Sequence, residues 1–348
     1  MNTPKRSKMA LSISIIVPVY NVENYIKDCF QSIVNQTYTG PMECLFIDDC
    51  GNDNSVQILE SLIMAYDGQI EMRLLHHEKN KGLSGARNTG IANAKGDYLF
   101  FLDSDDQLYP FSISRLADVA INENMPDVVL GGYQVSISDH PINQYCCDYE
   151  VINGQPAIAK AFLDDKLFCM APNKLVRQEF IIGNSLYFKE GIIHEDNLWS
   201  FQSFHLAQKV VTIPEKTYYY LIHSGSIMTS KDREKQIVCA RSICDEVNKD
   251  FNNHRYAFVE NDSQAYLDNL MVTKCGGLLN QIYMSGLTRE KRVARLKAIP
   301  DDLKSLMVKY LFSSSPFMRA MRILFQSHCY GLFDQVMCRL YSRNAEVK

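Results

Sequence analysis

The sequence predicts an α/β fold: a Rossmann-like sheet followed by a C-terminal helical region. Three observations carry this. Short apolar runs at 13–17, 44–47, 70–75 and 98–102 alternate with segments of helical period, the signature of a parallel sheet. Each run ends in a polar or acidic cluster. Beyond about Lys231 the spacing turns helical and no further motif occurs.

The elements follow in order. The first strand, 13–17, ends at Pro18-Val19-Tyr20-Asn21, where Asn21 is expected to cap a helix carrying Val22, Ile26, Cys29 and Ile33. The second, 44–47, ends in Asp48-Asp49, and a Gly-Asn-Asp-Asn-Ser turn leads to a helix with Val56, Leu59, Leu62, Ile63 and Tyr66 on one side. The third, 70–75, is interrupted by Glu71 and Arg73 and so is more exposed. A glycine-punctuated stretch, 80–90, opens a short helix to about Ala94. The fourth strand, 98–102, is unbroken and apolar, fit for burial on both faces. A helix at 112–122 and a strand at 127–130 continue the sheet. Residues 133–155 read as an antiparallel excursion with turns at 138–141 and 153–154, and Tyr218-Tyr219-Tyr220 is strand-like. Right-handed crossovers place the carboxyl ends of parallel strands along one edge, where such sheets bind ligands.

The chemistry gathers at those exits. Asp103, Asp105 and Asp106 put three carboxylates within four residues directly after a buried strand. Asp103 and Asp105 suit a hard cation, Mn²⁺ or Mg²⁺, which would in turn bind phosphate oxygens. Alone, an acidic turn capping the next helix explains them as well. Lys81 and Arg87 supply positive charge near phosphates, and Gly82, Gly85 and Gly90 permit a close approach to the ligand. The glycine spacing fits neither a dinucleotide fingerprint nor a Walker A loop. Glu195 and Asp196 precede a helix bearing Trp199; acids favour any helix N-terminus, and the functional reading makes one of them a general base. His223 opens a polar loop, 223–226, within reach of phosphates or the metal. His76 and His77 are adjacent on an extended chain and point to opposite faces, which suits strand-end histidines better than ligands.

Composition excludes several classes. The chain has 348 residues, 46% hydrophobic and 22% charged, enough for one large or two ordinary domains with a full core. A net charge of −4 exerts no general pull on nucleic acid. Eleven cysteines without Cys-x-x-Cys spacing read as reduced thiols. The apolar run after Lys5, Arg6 and Lys8 is short, is broken by Ser12, Ser14 and Pro18, and lacks a cleavage site, so a cytoplasmic location is expected. Residues 286–348 carry 12 Lys and Arg against 5 Asp and Glu, with Leu306, Tyr310, Phe317, Met321, Leu324 and Phe325 interleaved. This pattern suits peripheral contact with the inner face of the cytoplasmic membrane, or equally a packed helical subdomain.

Taken together, Ile15-Ile16-Val17-Pro18-Val19-Tyr20-Asn21, Ile47-Asp48-Asp49, the 80–90 stretch, Asp103-Ser104-Asp105-Asp106 and Glu195-Asp196 resemble the family 2 glycosyltransferases of GT-A fold, of the bacterial polysaccharide-building type. Five motifs in the family's order are specific where one would be weak. The resemblance implies a catalytic domain at 12–228 and a helical region at 229–348. It implies that Pro18, Tyr20, Asn21, Glu23, Asp48 and Ser104 join Lys81 and Arg87 around a nucleotide, usually of uracil. It also makes Asp103-x-Asp105 the metal motif and Asp196, beside Glu195, the catalytic base of an inverting transfer. Cys50 stands where the family often has glycine. The implied donor is a nucleotide sugar, the acceptor a glycan or lipid-linked glycan. A nucleotidyltransferase and a catalytically inactive nucleotide-sugar-binding subunit are the alternatives. The sugar, the linkage and the oligomeric state are not encoded in any readable motif.

Overall fold

The computed structural model describes residues 10–137, 140–223, 232–256, 262–283, 285–312 and 315–345. The chain forms two compact units, residues 1–228 with 254–260, and residues 229–253 with 261–348.

The first unit opens with β1 (Ile13–Val19), α1 (Ile26–Val34), β2 (Met42–Asp48), α2 (Ser55–Met64), β3 (Glu71–His76), α3 (Gly82–Asn93) and β4 (Tyr98–Phe101). It continues through β5 (Gln107–Leu108), α4 (Ser112–Asn122), β6 (Val128–Ile137), β7 (His140–Tyr145), β8 (Glu150–Asn153) and α5 (Gln155–Leu163). It closes with β9 (Lys174–Arg177), α6 (Gln178–Gly183), α7 (Glu195–Leu206) and β10 (Lys209–Ile222). The strand order is β3-β2-β1-β4-β9-β6-β10-β5, with β7 added on β6 and β8 on β10. Strands β1 to β4 are mutually parallel, and the order reverses between β1 and β4, the crevice where open α/β sheets take ligands.

Every residue of β1 and β4 is buried, as expected for strands covered on both faces. Helix α3 packs so closely on β1 that a Cβ at Gly90 would fall 2.2 Å from Ile16 Cγ2. At this position the expected close approach is therefore to the sheet rather than to a ligand.

The sheet is mixed: the expected antiparallel excursion is present as β7 on β6 and β8 on β10, and a further antiparallel strand was not foreseen by the alternating pattern. Strand β9 runs antiparallel to both neighbours, pairing Phe100 with Leu175 on β4 and Leu130 with Lys174 on β6. Its start, not its end, consequently lies beside the exit of β4. A second difference is at Asn21. Helix α1 begins only at Ile26, and Asn21 takes a left-handed turn (φ 53°), its Oδ1 accepting from Asn52 N at 2.7 Å. Asparagine tolerates that conformation better than most residues, so it shapes the turn instead of capping the helix. Cys50, in the family's glycine position, is itself left-handed (φ 59°).

The second unit comprises α8 (Arg233–Asn252), α9 (Asp262–Tyr283), α10 (Arg289–Ala298), α11 (Asp301–Leu306) with a π turn at Met307–Leu311, α12 (Pro316–Gln326) and α13 (Tyr330–Ala345). Pro316 starts α12 at the position where proline is tolerated, with Ser315 capping Met318 N. Met321 is buried and Phe325 is buried against Phe312 and Phe333, so part of the basic amphipathic stretch is occupied by packing, while Phe317, Ile323 and Leu332 are exposed. Among the described residues no helix is long and apolar enough to cross a membrane.

Candidate active site

Asp49 organises the approach to α3. It is 3% exposed, and its carboxylate accepts from Lys81 N at 2.7 Å and Gly82 N at 2.8 Å, holding the first free amides of the helix. His77 binds Asp49 through Nδ1 at 2.7 Å and Thr89 Oγ1 through Nε2 at 2.8 Å. Its neighbour His76 turns the other way, to Asp48 Oδ2 at 2.9 Å. Both histidines tie β3 to the β2 exit. Asp48 also accepts from Cys50 N, and its side chain is 14% exposed.

Around the β1 exit, Pro18 is buried in the strand and Tyr20 is 46% exposed. Glu23 receives Asn54 N and Nδ2 at 3.0 and 2.9 Å, so its carboxylate braces the 52–54 turn. Lys81 is exposed. Ser104 is buried.

The three carboxylates after β4 have separate partners. Asp106 is enclosed, accepting from Tyr218 Oη at 2.7 Å and Leu221 N at 2.8 Å; burial pushes its carboxyl well up. Tyr218 Oη in turn accepts from Asp103 N, so one buried tyrosine fixes the turn from below. Asp105 Oδ2 lies 2.8 Å from His223 Nε2, and the His223 ring stacks on Tyr25 at 4.2 Å. Burial, then the negative charge of Asp103, raises the Asp105 carboxyl. Asp103 Oδ1 accepts from Arg87 Nη2 at 2.7 Å.

Arg87 has a different role from the one its motif suggested. It is 2% exposed, and its other arm, Nη1, donates to Glu195 Oε1 at 2.7 Å. The expected phosphate contact gives way to an internal strut between the β4 exit and the first residue of α7. A planar guanidinium can hold two carboxylates at once; lysine cannot do so with fixed geometry. The Arg87 guanidinium also lies over the Phe188 ring, 5.1 Å from its centroid, and Phe188 stacks on Trp199 at 5.0 Å. Asn88 grips the Phe188 backbone in both directions and Ser84 Oγ donates to Lys189 O, so α3 positions the loop leading into α7.

Asp196, next to Glu195 in the first turn of α7, is partly buried. Burial and the adjacent Glu195 push its carboxyl up to about 6, against the pull of Arg87 and Lys174. A carboxylate of that kind is a proton acceptor near neutral pH.

Among the described residues no group of three or more His, Cys, Asp or Glu side chains is arranged to hold a metal by itself. The donor set nevertheless fits a shared Mn²⁺ or Mg²⁺. Asp103, Asp105 and His223 offer oxygen and imidazole donors, and a divalent cation held there would relieve the repulsion between the two carboxylates. The 224–226 part of the polar loop lies outside the described residues, as do 138–139 of the excursion's first turn. Reading the sequence missed Asp49, Tyr218 and the enclosure of Asp106. Asp48-Asp49 was a visible pair, yet nothing in its spacing shows which carboxylate faces inward.

Residues 14–182 match the family model described as Glycosyl transferase family 2. The chain is 31% identical over 253 residues to glycosyltransferase GlyG of Streptococcus pneumoniae serotype 4, covering 69% of this chain and 80% of that protein. It is 29% identical over 225 residues to the poly(ribitol-phosphate) beta-glucosyltransferase of Bacillus spizizenii, 61% of this chain and only 32% of that longer one. The fold is similar to the crystal structure of Staphylococcus aureus TarS 1-349 in complex with UDP-GlcNAc, with TM-score 0.64 and 21% identity over 96% of this chain and 92% of that one. Fold and site define a glycosyltransferase of GT-A architecture with a helical C-terminal region. The chain belongs to glycosyl transferase family 2.

Proposed function

We propose that this protein transfers a sugar, with inversion, from a uridine-linked nucleotide sugar to a hydroxyl of a glycan or lipid-linked acceptor in cell-surface polysaccharide synthesis, on the cytoplasmic side of the membrane. The observation that carries the reading is the Arg87 strut, which joins the cation-suited carboxylate Asp103 to the helix that bears Asp196. The TarS neighbour was solved with UDP-GlcNAc, and the Bacillus spizizenii relative is a poly(ribitol-phosphate) beta-glucosyltransferase; these support the donor and acceptor classes.

In this reading Pro18, Tyr20, Asn21, Glu23, Asp48, Lys81 and Ser104 line the nucleotide, and Arg87 acts through Asp103 and Glu195 rather than on the phosphates. Asp103, Asp105 and His223 would hold Mn²⁺ or Mg²⁺, which when bound neutralises the diphosphate leaving group. Asp196 accepts the acceptor hydroxyl's proton. That oxygen's electron pair forms the new bond to the anomeric carbon, while the bond from that carbon to phosphate breaks and its pair leaves with the nucleoside diphosphate. Glu195, tied to Arg87, keeps the first turn of α7 in register. Proton transfer of this kind contributes roughly 10²–10⁴-fold.

The test is UDP release from a panel of UDP-sugars with Mn²⁺ and a glycan acceptor, beside calorimetry with UDP. Release that needs the acceptor and Asp196 supports the reading. Tight UDP binding without release on any acceptor points to a binding subunit, and pyrophosphate release from a nucleoside triphosphate to a nucleotidyltransferase.

A further inference from the structure

The Ala171-Pro172-Asn173-Lys174-Leu175-Val176-Arg177 stretch has no part in the reading above, yet β9 brings its start to the sheet edge that carries the acidic residues. Asn173 is fully buried and left-handed (φ 63°), held by donation to Gly131 O at 2.8 Å and Gly132 O at 3.0 Å and by acceptance from Thr217 Oγ1 at 2.6 Å. That strained residue sets the direction of the next. Lys174 is 1% exposed. Its ammonium donates to Met170 O at 2.5 Å and Ser200 Oγ at 2.8 Å. Phe168 and Phe204 stand 5.0 Å from it and Trp199 5.7 Å, measured to ring centroids, forming an aromatic enclosure. A buried lysine is costly, and this one has no carboxylate within ion-pairing distance among the described residues.

Ser200, Trp199 and Phe204 all belong to α7, and Ser200 is one helical turn after Asp196 on the same face. We propose that Lys174 is a positioning residue for the proton-accepting carboxylate: it anchors the first turns of α7 and supplies the buried positive charge behind Asp196. This rests on Asp196 being the base. The charged or titratable groups acting on Lys174 are Asp196 on α7, Cys169 in the preceding loop and Arg87 on α3. Burial lowers the Lys174 ammonium to about 7, so its charge is present where Asp196 titrates and fades above neutrality.

Two measurements decide it. In Lys174→Met, which keeps the packing volume, the acid limb of the kcat profile for UDP release should move up by about one pH unit. Turnover should therefore fall about fivefold at pH 6, approach a tenfold loss about one pH unit lower, and recover to within about twofold at pH 8.5, with donor KM unchanged. The second is intrinsic fluorescence. Trp199 is the chain's only tryptophan, so its emission should show a step between about pH 6 and 8 in the wild type, and none in Lys174→Met. Ser200→Ala, a milder change, should move the limb in the same direction by less. An unmoved acid limb in both variants, or a wild-type emission flat across neutrality, overturns the proposal and leaves Lys174 a packing residue. Asp196→Asn separates the two readings. If it retains full turnover, the base assignment fails, whereas the emission step still reports whether Lys174 titrates beside Trp199.

Discussion

Arg87 Nη1 and Glu195 Oε1 meet at 2.7 Å across 108 positions of sequence, in a site where both side chains are almost wholly enclosed. With Nη2 on Asp103, this single guanidinium sets the spacing between the acidic exit of β4 and the start of α7.

Arg87→Ala should therefore be felt in stability as well as in turnover. It leaves two carboxylates, one of them buried, without their counter-charge, and breaking such a pair costs about 3–5 kcal/mol. Urea denaturation measures it, and a loss below about 1 kcal/mol would show that the strut is replaceable.

Asp105→Asn should remove the divalent-cation dependence of UDP binding while leaving the melting curve close to that of the wild type. Asp105 lies at a strand exit with its side chain 25% exposed, so the core does not depend on its charge. Calorimetry with UDP, with and without Mn²⁺, is the measurement. An undiminished Mn²⁺ effect would remove Asp105 from the cation site.

Asp196→Asn should lower kcat by roughly 10²–10⁴-fold with UDP affinity unchanged. In the wild type, turnover should rise with pH through about 6, because the carboxylate form is the proton acceptor. The raised carboxyl also has a stability consequence. The folded state holds that proton more tightly than the unfolded chain, so its contribution is present at low pH and lost as pH rises through about 6. Above that pH Asp196→Asn should melt higher than the wild type. A variant that is both slower and less stable there would contradict the assignment.

His205 gives a second pH test, outside the site. Its Nδ1–H donates to Phe201 O at 2.7 Å, and burial lowers the ring to about 4. The unfolded chain binds the proton first, so stability is complete above about 6.5 and falls as pH drops toward 4. The loss from this residue is about 3 kcal/mol across the window. Denaturation of the wild type and His205→Phe at pH 7.5 and 4.5 should show a pH-dependent difference; a constant difference would mean that His205 does not titrate.

The sequence alone determined the alternation of β1 to β4 with helices, because short apolar runs and helical periods are local signals. It also determined that acidic and polar residues stand at the strand exits, since a buried strand cannot hold three charges. It did not determine the company those residues keep. The antiparallel entry of β9 depends on pairing between residues far apart in the chain, and that pairing brings Lys174 to Ser200 and Trp199 of α7. Arg87 in a glycine-rich stretch reads as a free cation; only tertiary packing encloses it and turns it to Asp103 and Glu195. Asp48 and Asp49 are chemically identical in sequence, and the fold alone assigns one to a partly open exit and the other to the amides of α3. Composition and period act over a few residues, whereas burial and ion pairing are settled by what the rest of the chain packs against them.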